Sequence, residues 1–161
     1  MTTIVVEDGS IVSNANSYVS EAELTAYALA RAYTLIADED DLIIQAMDYI
    51  ESLDFIGTKR TRDQGLQWPR VDAWIDGYWV DANSIPNDLK KAQLAICVAI
   101  DQGNGPLQVL PRSTKSEKVG PLEVVYSDNA SSVAIDRTIS AYLKKLVRGG
   151  NGGYQFIVGK A

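Results

Sequence analysis

IPNDLKKAQLAICVAIDQGNGP, residues 85–106, decides how the rest of the chain is read. Pro86 is acceptable in a first helical turn, where its missing N–H costs nothing. Leu89, Ala92, Gln93, Ile96, Val98, Ala99 and Ile100 follow on more than one face. A helix with so broad a core-facing surface is buried on most sides, so this is the expected central helix. Gly103-Asn104-Gly105-Pro106 ends it. Cys97 falls inside it and reads as a buried structural thiol, because the chain holds no histidine to activate it.

Upstream, Ile43, Met47, Ile50 and Leu53 recur at helical spacing after the acidic run Asp38-Glu39-Asp40-Asp41. That run sits where the positive end of the helix dipole would be. It lacks the alternating Asp/Asn pattern around a glycine that a calcium loop needs. Ser20-Glu21-Ala22-Glu23 is a capping box and predicts a further helix over about Glu21–Ala32. Before it, residues 3–6 predict a short strand closed by Asp8-Gly9. Downstream, residues 115–126 predict a hairpin around Gly120-Pro121, with Leu122, Val124 and Tyr126 on one face. A fourth helix follows, with Ile135, Ile139, Tyr142, Leu143 and Leu146 on one side and Lys144, Lys145 and Arg148 near its end.

Residues 54–84 break every periodicity and predict a long loop. It contains all three tryptophans, Trp68, Trp74 and Trp79, interleaved with Lys59, Arg60, Arg62 and Arg70. Aromatics beside cations hold single-stranded nucleic acid by base stacking. Asp54, Asp63, Asp72, Asp76 and Asp81 cancel that charge, which favours the other reading of a loop pinned to the helices by its tryptophans. Trp68, Arg70, Trp74 and Trp79 are therefore candidate loop anchors or DNA contacts. The tail, residues 149–161, is a glycine tether followed by the apolar Tyr154-Gln155-Phe156-Ile157-Val158. Such a segment adds to a sheet of its own molecule or to a partner's sheet edge. The partner is slightly favoured, which makes Tyr154, Phe156, Ile157 and Val158 a candidate partner interface.

The fold class expected is mainly α: a four-helix domain over residues 1–148 with an inserted β-hairpin, a long Trp-rich loop and a C-terminal strand-like arm. The 161 residues fit one domain able to bury a core without disulfides or metal. No histidine and one cysteine exclude most zinc sites, His-based triads and disulfide frameworks. No Gly-x-Ser-x-Gly, P-loop or dinucleotide fingerprint occurs. No enzyme activity, catalytic residue, cofactor or metal is expected. No apolar stretch approaches the roughly 20 residues that span a bilayer, and no signal peptide is read at the N-terminus. The net charge is −6, made of −9 over residues 1–80 and +3 over residues 81–161. Opposite-signed halves attract within one molecule or between copies, and an acidic chain is a poor general nucleic-acid binder.

Four segments, in order, carry a resemblance: Ala15-Asn16-Ser17-Tyr18-Val19-Ser20, Leu66-Gln67-Trp68-Pro69-Arg70, Ile85-Pro86 with Leu89, Lys91 and Ala92, and Lys118-Val119-Gly120-Pro121-Leu122-Glu123-Val124. Over residues 4–147 they resemble small tailed-bacteriophage proteins labelled DnaT-like single-stranded-DNA-binding proteins, which look like head–tail connector (adaptor) proteins. The resemblance implies a connector-type helical domain in a homo-oligomeric ring of twelve copies. The ring would dock on the portal protein at the head–tail junction of the virion, after synthesis in the host cytoplasm. Its further partners would be a downstream tail or head-completion protein, and genomic DNA passing through the channel without specific binding; no membrane is involved. The alternatives are a single-stranded-DNA-binding protein, as the label says, and a small interaction protein that forms no ring.

Overall fold

The computed structural model describes residues 2–105, 116–119, 122–125 and 137–149. The candidate interface residues Tyr154, Phe156, Ile157 and Val158 lie outside them, as do Gly120-Pro121, Tyr126 and Ile135. The described residues form four helices: α1 Glu21–Leu29, α2 Glu39–Glu51, α3 Asn87–Asp101 and α4 Arg137–Leu143. Between α2 and α3 run β1 Thr58–Lys59, β2 Arg70–Val71, β3 Trp74–Ile75 and β4 Tyr78–Trp79; between α3 and α4 run β5 Ser116–Val119 and β6 Leu122–Val125. They pair consecutively as three two-stranded antiparallel sheets.

α3 is the centre. Leu89, Ala92 to Cys97 and Ala99 are all buried, and α1, α2 and α4 each pack against it. α2 buries Leu42, Ile43, Ala46, Met47 and Ile50, and α4 buries Ile139 and Leu143, followed by Leu146. Cys97 is fully buried, and desolvation pushes its thiol up to about 12, so it is not a thiolate near neutrality. Pro86 sits one place earlier than the first turn, at the N-cap.

Polar groups then tie the loops to this core. Gln93, in the middle of α3, is fully buried. Its Oε1 accepts the Tyr18 N–H at 3.0 Å and its Nε2 donates to Ser17 Oγ at 2.9 Å. Glu7 is buried too, and its carboxylate accepts the N–H groups of Gly9, Ile11 and Val12 at 2.8–3.0 Å. Gly9 has φ +108°, and a Cβ there would meet the Asn83 carbonyl oxygen at 2.0 Å, so only glycine fits between the N-terminal loop and residue 83. Asp101, at the end of α3, accepts the Tyr33 hydroxyl and the N–H groups of Ile36 and Ala37, fixing the α1–α2 connection.

Several expectations need correction. The mainly α expectation holds only in part, because the small sheets make the fold mixed α and β. The strand over residues 3–6 is reduced to a single bridge between Val6 and Ser17. The Asn16 side chain explains this: its Oδ1 accepts the Val5 N–H and its Nδ2 donates to the Thr3 carbonyl, in place of a neighbouring strand's backbone. The capping box at Ser20 and Glu23 is present, but α1 ends at Leu29 and Ala32 turns to φ +54°. The long loop contains two small sheets, β1–β2 and β3–β4, whose two-residue strands are too short to show alternation.

Gln93→Leu keeps the volume but strands the Tyr18 N–H and removes a donor from Ser17. The expected loss is about 1–3 kcal/mol. A urea titration that gives the same midpoint as wild type would contradict the structural role of Gln93.

Candidate functional site

The four candidate residues of the 54–84 region divide into two pairs. Trp68 and Arg70 are buried, at 0% and 6% exposure. Trp68 meets Phe55 edge-on at 6.1 Å, and the Trp68–Pro69 peptide is cis. Its Nε1 has no acceptor among the described residues, a cost of about 1–3 kcal/mol. Burial of an indole returns more, about 5 kcal/mol for some 200 Å² of apolar surface. The Trp68 N–H donates to the Tyr18 hydroxyl at 3.1 Å, and that hydroxyl donates to Glu51 Oε1 at 2.8 Å. Glu51 also accepts the Gln67 N–H through both oxygens. Burial, with Glu51 beside it, holds the Tyr18 phenol far above its ordinary value. Burial likewise raises the Glu51 carboxyl above 4.5, against the hydrogen bonds from Gln67 and Tyr18 that lower it.

Arg70 spends its guanidinium on the backbone. It donates to the carbonyls of Phe55, Ile56, Gly57 and Gln67 and to Gln67 Oε1. Gly57 has φ +70°, and a Cβ there would lie 2.4 Å from the Val71 carbonyl oxygen. Neither Trp68 nor Arg70 is free to meet a base or a phosphate. Arg60 is exposed but donates to the Gly9 carbonyl. Arg62 is exposed, and Lys59 is partly buried in β1.

Trp74 and Trp79 are the opposite case. They face each other across β3 and β4 with ring centroids 4.3 Å apart, and are 52% and 59% exposed. Tyr78 beside them is 78% exposed. The turn is Asp76-Gly77, both at positive φ, the pattern of a type I′ hairpin whose twist matches its strands. Lys145, after α4, reaches the turn and bonds Asp76 Oδ2 at 2.7 Å; that bond raises the lysine's pKa. Residues 72–88 contain Asp72, Asp76, Asp81 and Asp88 and no lysine or arginine. An open cleft of about 280 Å³ lies between the hairpin and the start of α3, lined by Ile75, Tyr78, Trp79, Val80, Pro86 and Asn87, with Asp88 at its edge.

The sequence analysis missed this hairpin, although Trp-Ile-Asp-Gly-Tyr-Trp has its signal: Asp-Gly between apolar pairs. It also missed the buried acceptor Glu7 and the half-buried Glu51. Their oxygens bond to N–H groups whose positions only the fold defines. The carboxylates of Asp38, Asp40 and Asp41 approach within 4.8 Å of one another at the start of α2. Asp40 is already engaged by the Thr2 N–H, which lowers its pKa, so the cluster reads as helix-end electrostatics.

The family model described as "Putative DnaT-like ssDNA binding protein" matches residues 2–161. The chain belongs to this family. The match runs through the glycine tether and residues 154–158, which the resemblance in the sequence left outside. No curated protein and no solved structure matches the chain. In this member of the DnaT-like family, two of the segments that carried the resemblance, residues 15–20 and 66–70, meet at the Tyr18–Glu51–Trp68 network, with Arg70 beside it. Those motif residues hold the fold; the exposed aromatics lie beside them. No helix of the described residues is long and apolar enough to cross a membrane.

Glu51 makes stability depend on pH with a definite sign. Its folded value lies above its unfolded value, so the folded state binds more protons in that window and stability falls as pH rises through it. Glu51→Gln keeps an acceptor and removes the titration. Urea midpoints of the two proteins, compared from pH 4.5 upwards, should shift in favour of the variant. A constant difference across that range would contradict the assignment.

Proposed function

We propose that the chain is a non-catalytic assembly subunit that binds another protein through the 74–79 hairpin. The observation that supports this most is the close, tilted, half-exposed Trp74–Trp79 pair with Tyr78, on a stretch of sequence whose charged residues are four aspartates, of which Asp76 and Asp88 pair with Lys145 and Lys91. Exposed aromatics are the usual centres of protein–protein contacts, where a few residues supply most of the affinity. Phosphates would be repelled by the same carboxylates.

In the setting that the phage resemblance suggests, the subunit is a head–tail connector. It forms a ring of twelve under the portal at the head–tail junction of the virion and passes the genome to a downstream tail or head-completion protein. A head-to-tail ring needs two different complementary surfaces per copy. The opposite charges of the two halves of the chain and the aromatic hairpin are suited to that role. DNA slides through without specific contact, because an acidic wall does not hold phosphates.

A second reading has its own support. The family description names single-stranded DNA, and the Trp74–Trp79 pair offers faces on which bases could stack. The burial of Trp68 and Arg70 and the loss of Lys145 to Asp76 weigh against it.

The test is the double variant Trp74→Ala/Trp79→Ala. Both side chains are half-exposed, so the fold should persist with a near wild-type urea midpoint. Binding to purified portal rings, followed by sedimentation, should fall at least about tenfold. Unchanged portal binding would refute the hairpin as the binding surface, and no portal binding by the wild-type protein would refute the connector reading. Tight, salt-sensitive binding of a labelled single-stranded oligonucleotide by wild type, lost in the variant, would establish the second reading instead.

A further inference from the structure

We infer that the cleft beside the 74–79 hairpin is the docking site for the chain's own C-terminal segment, Tyr154–Val158. The inference rests on the hairpin being a surface for protein rather than nucleic acid, and it names the first occupant of that surface.

Where the described chain ends supports this. Val147 pairs with Phe55, the Arg148 N–H donates to the Asp54 carbonyl at 2.8 Å, and the Arg148 guanidinium donates to the Gly57 carbonyl. Residues 145–148 are thus pinned along residues 54–57, and Lys145 already touches Asp76 in the turn of the hairpin. The last described residue, Gly149, lies four residues past Lys145. Gly150-Asn151-Gly152-Gly153 then span up to about 14 Å when extended. That length is enough to bring Tyr154 to the neighbourhood of the hairpin, and glycine at three of the four positions leaves the direction open.

Size and chemistry point to the same occupant. Sites for small molecules usually enclose about 300–1,000 Å³. At about 280 Å³ the open cleft suits one large side chain better than a cofactor. In an extended segment Tyr154, Phe156 and Val158 share one side, spaced two residues apart. One aromatic ring can enter between Tyr78 and Pro86 while its neighbours lie on the exposed indoles. Lys160, two residues beyond Val158, brings a further cation to a stretch whose charged residues are aspartates, Asp76 and Asp88 being already paired with Lys145 and Lys91. A tether this short also gives an effective concentration on the order of millimolar, so even a weak contact forms within the molecule before one forms between copies. A portal subunit or a neighbouring copy then gains the hairpin by displacing the segment.

The test uses the full-length chain alone, without portal or DNA, so its result is independent of the assembly experiment. Trp68 is buried, so changes in acrylamide quenching of tryptophan emission report on Trp74 and Trp79. In the full-length variant Phe156→Asp/Val158→Asp, quenching should rise about twofold as two of three indoles lose their cover. A synthetic peptide of residues 150–161 should reverse the rise in that variant. It should do nothing in the Trp74→Ala/Trp79→Ala background. Wild-type protection should also survive dilution a hundredfold, on the order of the gap between millimolar tether and micromolar protein. Equal quenching in wild type and variant would overturn the inference. So would protection that disappears on dilution, which would assign the cleft to the segment of a second copy.

Discussion

The hydroxyl of Tyr18 is the contact on which the rest of the arrangement depends. It donates to Glu51 at the end of α2 and accepts the backbone N–H of Trp68. The N–H of the same tyrosine is taken by Gln93 in the middle of α3. One fully buried residue thus links the N-terminal loop, two helices and the 54–84 region. A buried polar group without a partner is costly, so each of these atoms requires the others to be in position. Arg70 extends the constraint by collecting the carbonyls of residues 55–57. The irregular middle of the chain is held by polar bonds that converge on two buried side chains rather than by long strands.

That economy explains the division of labour among the aromatics. Trp68 lies on the network and is consumed by it. Trp74 and Trp79 lie beyond the last residues that the network holds, on a hairpin whose own turn is self-sufficient. The hairpin is positioned by Ala73, which is buried, by the Val80 N–H bond to the Ala73 carbonyl and by Lys145 on Asp76, while its aromatic face remains open. A rigid apolar face among carboxylates suits a polypeptide partner. The same face with lysines in place of the aspartates would suit a nucleic acid. The sign of the charge, not the presence of tryptophan, separates the two.

Much of the helical frame was legible because it rests on local rules. The capping box at Ser20, the apolar spacing of α2 and the many-sided burial of residues 89–99 all follow from short-range pattern. The burial of Trp68 and Arg70 was not legible, because a tryptophan and an arginine among aspartates look alike whether they face inwards or outwards. Their fate depends on Tyr18 and Glu51, which are 50 and 17 residues before Trp68. The strand expected over residues 3–6 failed for a related reason: the side chain of Asn16, a residue that composition assigns to a loop, takes the Val5 N–H and bonds the Thr3 carbonyl in place of a strand partner. The 74–79 hairpin was legible in principle from Asp-Gly alone, but two-residue strands offer no alternation to support it.

The most direct test of the central claim is a photocrosslink from the hairpin itself. Tyr78→benzoylphenylalanine places the probe at the most exposed of the three hairpin aromatics, with Trp74 and Trp79 left intact. Irradiated with portal rings and a labelled single-stranded oligonucleotide both present, the protein should form an adduct with portal polypeptide and leave the oligonucleotide unlabelled. An adduct with the oligonucleotide, and none with protein, would contradict the account.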